Sequence, residues 1–117
     1  MALARRVSQV LVSTLFVLAL ACDLESTPPP NRDFVGAWAS KDGSHVLSIS
    51  VDGDVSYRKQ EDGVNTSIDA PAKVWSESSF TVGAFGISTN FTIDEAPHLV
   101  EGAWRMTVDG VEYQRVE

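Results

Sequence analysis

Cysteine occurs once in these 117 residues, at Cys22, and histidine twice, at His45 and His98. A single thiol forms neither an intrachain disulfide nor a thiolate metal cluster. The two histidines stand half a domain apart, and neither belongs to a motif with the three or four spaced ligands of a zinc centre. No Gly-x-Ser-x-Gly elbow, phosphate loop or dinucleotide fingerprint is present, so no motif marks an acyl-transfer, phosphoryl-transfer or nicotinamide enzyme. Basic residues are also scarce: nine Lys and Arg face sixteen Asp and Glu, a formal charge of −7. Binding a nucleic acid, or docking electrostatically on anionic headgroups, takes clustered Lys and Arg, and both are disfavoured. No apolar run approaches the ~20 residues of a membrane-spanning helix. Beyond residue 21, no window of helical length spaces its apolar residues by three and four.

What the chain does have begins with an apolar run from Val10 to Ala21, interrupted only by Ser13 and Thr14. Arg5 and Arg6 precede it, and small residues Ala19 and Ala21 stand just before Cys22. A basic start, a short apolar stretch and a small-residue cleavage site are the parts of a secretory signal. Ending on a cysteine, the segment resembles a bacterial lipoprotein signal, with Ala19 where that family most often has leucine. The resemblance implies that residues 1–21 form a signal helix that is removed. Cys22 then carries a diacylglycerol as the new N-terminus, and the protein faces the periplasm or the cell surface of a bacterial envelope. Asp23 resembles the inner-membrane retention signal of enteric bacteria; other lineages do not keep that rule, and the leaflet stays open. Loss of Arg5 and Arg6 takes the nine basic residues to seven against sixteen acidic ones, a formal charge of −9. With the thiol acylated, the mature chain has no cysteine nucleophile and folds by packing alone.

Residues 22–32 read as the lipidated cysteine and a tether. Pro28, Pro29 and Pro30 favour polyproline II, at about 3.1 Å per residue, and the segment reads either as a stiff spacer that lifts the domain from the membrane or as an unstructured leader with no geometric purpose.

Residues 33–117 are long enough for one small domain, and their pattern is all-β. Leu47, Ile49 and Val51 alternate with Ser48 and Ser50, then Asp52-Gly53 intervenes before Val55 and Tyr57. Trp104, Met106 and Val108 alternate with polar residues up to Asp109-Gly110, and Val111, Tyr113 and Arg115 follow. An Asp-Gly pair between alternating runs signals a hairpin, because the turn takes positive φ that glycine tolerates. Asp62-Gly63 predicts another turn, Asp69-Ala70-Pro71 a break, Ser76 to Ser79 a polar turn, and Asp94 to Pro97 the end of the strand holding Phe91 and Ile93. The expectation is about eight short antiparallel strands, as a meander or a small barrel or half-barrel.

Gly36-Ala37-Trp38 at the first strand and Val111 to Arg115 at the last resemble the small lipocalin-like domains of bacterial lipoproteins. That likeness implies a tryptophan plugging one barrel end with a late arginine packed over it: Trp38 with Arg115, or with Arg105. Roughly six residues per strand leave little wall for a cavity. Trp38, Leu47, Ile49, Tyr57, Trp75, Phe80, Phe91 and Trp104 are therefore expected to fill the interior.

Gly83-Ala84-Phe85-Gly86-Ile87 is the least ordinary segment. Two glycines around a phenylalanine permit unusual backbone angles. It reads either as an exposed loop presenting Phe85 and Ile87 to a partner, or as a tight connection with Phe85 turned into the core; the second is favoured here. Asp94, Glu95 and Glu101, and Asp52 with Asp54, fall in predicted turns, where carboxylates are solvated rather than catalytic. The expected protein is a non-catalytic envelope module without a metal or cofactor. It binds an envelope protein or, alternatively, carries a small hydrophobic ligand.

Overall fold

A computed structural model describes residues 24–116. The signal segment and Cys22 lie outside the described residues. A single 3₁₀ turn, Arg32–Phe34, leads into eight strands: β1 Gly36–Ser40, β2 His45–Ile49, β3 Asp54–Glu61, β4 Val64–Trp75, β5 Ser79–Ala84, β6 Ile87–Val100, β7 Ala103–Val108 and β8 Val111–Arg115. Each strand pairs antiparallel with the next, and β8 closes on β1, giving a barrel in meander order. Closure pairs every edge, which removes the templates for aggregation that open sheets carry.

Alternation sets the wall. Trp38, Leu47, Ile49, Val55, Ala72, Phe80, Val82, Phe91, Ile93, Met106, Val108 and Tyr113 point inward and are buried, while Tyr57, Trp75 and Trp104 pack partly buried against them. Of the eight residues expected to fill the interior, Trp38, Leu47, Ile49, Phe80 and Phe91 are buried, and Tyr57, Trp75 and Trp104 are only partly so. Aromatic rings in contact form a continuous file through it. Phe34 meets Trp75 at 5.4 Å, Trp75 stacks on Phe80 at 4.6 Å, Phe80 on Phe91 at 5.0 Å, and Phe91 meets Tyr57 at 5.3 Å. Aromatic pairs at such spacings contribute roughly 0.5–1.5 kcal/mol each beyond their buried area.

Three expectations about strand limits are corrected. β4 does not break at Asp69–Pro71; it runs through Pro71 to Trp75. Proline is tolerated there because β4 at that point exchanges its partner, from β3 at Asp54↔Pro71 to β5 at Ala72↔Val82. A register shift follows between Ala72 and Val74, after which Trp75 faces inward like Ala72. β6 likewise continues past Asp94–Pro97 to Val100, with irregularities between Ile93 and Glu95 and between Glu95 and His98 that absorb Pro97. Val51 is not a strand residue: β2 ends at Ile49, and Val51 sits exposed in the turn closed by the bond from Gly53 N–H to Ser50 O.

The tether is corrected as well. Thr27 N–H donates to Ala72 O at 2.7 Å, its hydroxyl to Lys73 O at 3.0 Å, and its carbonyl accepts from Trp75 Nε1 at 2.8 Å. Lys73 Nζ donates to Glu25 O at 2.8 Å. Residues 25–30 are thus a strap laid on the barrel rather than a free spacer. β4 extends beyond β3 at Ala72, and Thr27 covers the backbone edge exposed there. Gly53 makes room, since a Cβ at that position would collide with the Thr27 carbonyl.

Candidate functional site

The meander puts the β1–β2, β3–β4, β5–β6 and β7–β8 connections at one end of the barrel and the N-terminal strap, the 3₁₀ turn and the other three connections at the opposite end. The two ends differ in chemistry.

At the strap end the barrel is closed. Trp38 is fully buried and its Nε1 donates to Phe34 O at 3.0 Å, which fixes the 3₁₀ turn across the opening. Arg115, paired with Trp38 in the β1–β8 register, lays its guanidinium 4.8 Å from the Trp38 ring centre and 5.0 Å from that of Trp104. Its Nη2 donates to Asp33 O. The sequence had left two arginines open for this position, and it is Arg115; Arg105 instead reaches Glu112 across β7 and β8 at 3.3 Å. Trp104, the second face of the arginine sandwich, was foreseen only as an interior residue. Period-two alternation places it inward but says nothing of which ring meets which cation.

At the hairpin end three of the four connections are two-residue turns in which both residues have positive φ: Asp62-Gly63, Phe85-Gly86 and Asp109-Gly110. Asp at the first position is ordinary, because its short polar side chain tolerates the left-handed region. Phe85, at φ 55°, is not. A bulky residue held there costs on the order of 1 kcal/mol, so the position marks strain that the rest of the hairpin must outweigh. The expectation that Phe85 turns into the core is corrected: the connection is tight, but Phe85 is 64% exposed and Ile87 78% exposed. The reason is geometric. Pairing continues to Ala84↔Ile87, which leaves Phe85 at the tip, beyond the end of the wall. Gly83 supports this hairpin, because a Cβ there would strike the β6 backbone at Ile87 and Ser88.

The tips of the other three hairpins are acidic, carrying Asp42, Asp62 and Asp109. Asp42 is held down to about pKa 2 by the Ser44 N–H, then by the Ser44 and Ser40 hydroxyls. Asp109 accepts from Thr92 N–H at 2.8 Å, and Asp94 from Gly110 N–H at 2.7 Å, so both carboxylates brace the β7–β8 turn against β6. His45 stands at this end with its ring 6.3 Å from Tyr57 and 6.4 Å from Tyr113. His98 is far from it, on β6, 3.7 Å from Glu95. Among the described residues no three His, Cys, Asp or Glu side chains converge on a metal position.

A shallow pocket of about 510 Å³ lies outside the wall at the strap end, lined by Pro30, Phe34, Trp75, Glu77 and Ala96. Trp75, expected in the interior, lines this external pocket with one face, and its other face belongs to the packed file of rings.

No protein-family model matches the chain, and no curated protein or solved structure matches it either.

Proposed function

We propose that this protein is a lipid-anchored, non-catalytic module of the bacterial envelope that binds a partner protein through the tip of its β5–β6 hairpin. The observation that carries the binding role is Phe85, an exposed aromatic held at positive φ beside exposed Ile87. Strain of this kind is retained where function outweighs stability. The anchoring role rests on the run from Val10 to Ala21 and on Cys22. The barrel itself reads as lipocalin-like in the Trp38–Arg115 closure.

The test replaces Phe85 by Asn, which keeps the turn and removes the ring. A photoreactive side chain at position 87 should crosslink to one partner in cells when Phe85 is present and lose that product in Phe85→Asn, with the variant at least as stable as the parent. An unchanged crosslink in Phe85→Asn rejects the hairpin as the binding element. For the anchor, intact mass should reveal a diacylglyceryl group on Cys22, and Cys22→Ser should move the protein from membrane to soluble fractions.

The second reading, a carrier of a small hydrophobic ligand, is favoured by one feature: the pocket beside Phe34 and Trp75. The interior offers it no help, being occupied by the protein's own side chains. Titration with a fatty acid should change the tryptophan emission if the pocket is a binding site, and Trp75→Phe should remove that response.

A further inference from the structure

We propose that the N-terminal strap is a wall of the external pocket, so that a planar apolar molecule bound there and the docking of the strap on β4 reinforce each other. The inference deepens the carrier reading of that pocket and rests on it; it needs no lipid on Cys22.

The pocket is assembled from segments far apart in the chain. Pro30 belongs to the strap, Phe34 to the 3₁₀ turn, Trp75 and Glu77 to the end of β4 and the turn after it, and Ala96 to β6. Its volume of about 510 Å³ falls within the roughly 300–1,000 Å³ of small-molecule sites. Pro30, Phe34 and Trp75 offer flat apolar faces, which suit a ring more than a branched group. A ring in the pocket would lie on the face of Trp75 that the packed file leaves free, and so lengthen the file that runs through Phe80 and Phe91.

The strap wall is held at its two ends. Phe34 is fixed by the bond from Trp38 Nε1 to its carbonyl, and Thr27 by its three bonds to Ala72, Lys73 and Trp75. Between them Pro28, Pro29 and Pro30 form a stiff run, so a position fixed at Thr27 is passed on to Pro30 rather than lost in a flexible chain. Trp75 is tied to the same point. Its Nε1 donates to the Thr27 carbonyl at 2.8 Å, and the strap thereby sets the plane of the ring that faces the ligand. Release of Thr27 loosens the Pro30 wall and frees the indole in one step. A molecule that binds only the docked arrangement must also stabilise it, because coupling between two equilibria is reciprocal.

The experiment titrates the full-length chain with N-phenyl-1-naphthylamine, an uncharged aromatic dye whose emission rises in apolar surroundings. Binding should saturate. At ten times its dissociation constant the dye should slow hydrogen exchange of the Thr27 amide, which donates to Ala72 O, by about tenfold. Neither Thr27 nor Gly53 lines the pocket, and Gly53 meets Thr27 from its other side. Thr27→Pro and Gly53→Ala should therefore each weaken the dye severalfold through the strap alone. Exchange at Thr27 in the parent needs no variant, so the coupling is tested even where a variant fails to fold. Dye binding that leaves Thr27 exchange unchanged, or that is equally tight in a folded Thr27→Pro, overturns the coupling while the pocket reading stands. A parent chain that does not bind the dye overturns the pocket reading, and the coupling with it.

Discussion

Phe85 and Gly83 are neighbours in the sequence, and the same hairpin uses them in opposite ways. Gly83 is required by close approach of β6, and Gly83→Ala should destabilise the fold by about 1–3 kcal/mol, as overpacking does. Thermal or denaturant unfolding measures it directly. Phe85 is strained and exposed, so Phe85→Asn should raise stability by roughly 1 kcal/mol, because Asn accepts the left-handed region. Should Phe85→Asn lower the midpoint instead, the ring is part of the packing and not a displayed group. Arg115 is the third informative residue. Its planar guanidinium lies between Trp38 and Trp104, an arrangement that an ammonium group cannot reproduce. Arg115→Lys should therefore cost about 1–2 kcal/mol despite conserving charge.

Among the elements, the strap and β4 are coupled. Thr27→Pro removes the N–H that donates to Ala72 and the hydroxyl that donates to Lys73. Each such bond contributes about 0.5–1.5 kcal/mol, so the variant should unfold at a lower temperature, and hydrogen exchange should rise at Ala72 to Trp75 first. Gly53→Ala should release the strap from the other side by collision with Thr27. Elements were legible in the sequence where alternation and turn chemistry agree. β2, β3, β7 and β8 follow directly from apolar residues at every second position around Asp-Gly pairs. β4 and β6 were less legible because each is long, changes partner and carries an irregularity. Pro71 and Asp94 to Pro97 are stop signals locally, and only cross-strand pairing overrides them. The Phe85-Gly86 turn was hidden for a related reason: a phenylalanine does not advertise positive φ.

For the whole molecule, the tyrosines near the hairpin end set a pH dependence. Burial raises the Tyr57 hydroxyl above its ordinary value of 10.0, and raises Tyr113 further. An acid whose folded pKa is raised contributes stability that is complete below the unfolded value and lost as pH rises toward the folded one. Melting temperature should fall above pH 10, and Tyr113→Phe should flatten that slope. Asp42 and Asp69 act at the other limit. Asp42 is lowered by the Ser44 N–H, and Asp69 by the Ser56 hydroxyl and then Arg58. Their contribution is present above the ordinary value of 3.8 and fades as pH falls through the folded values. The sequence by itself determined the all-β class, the hairpins at Asp52-Gly53, Asp62-Gly63 and Asp109-Gly110, and the inward-facing set. These depend on period-two alternation and local turn preferences, which each short segment carries within itself. Only the tertiary structure decided that the barrel closes, that Arg115 and not Arg105 covers Trp38, that Thr27 straps the proline segment to β4, and that Phe85 stands outside. Each of those joins residues far apart in the chain or depends on where a wall ends, and no local pattern encodes either.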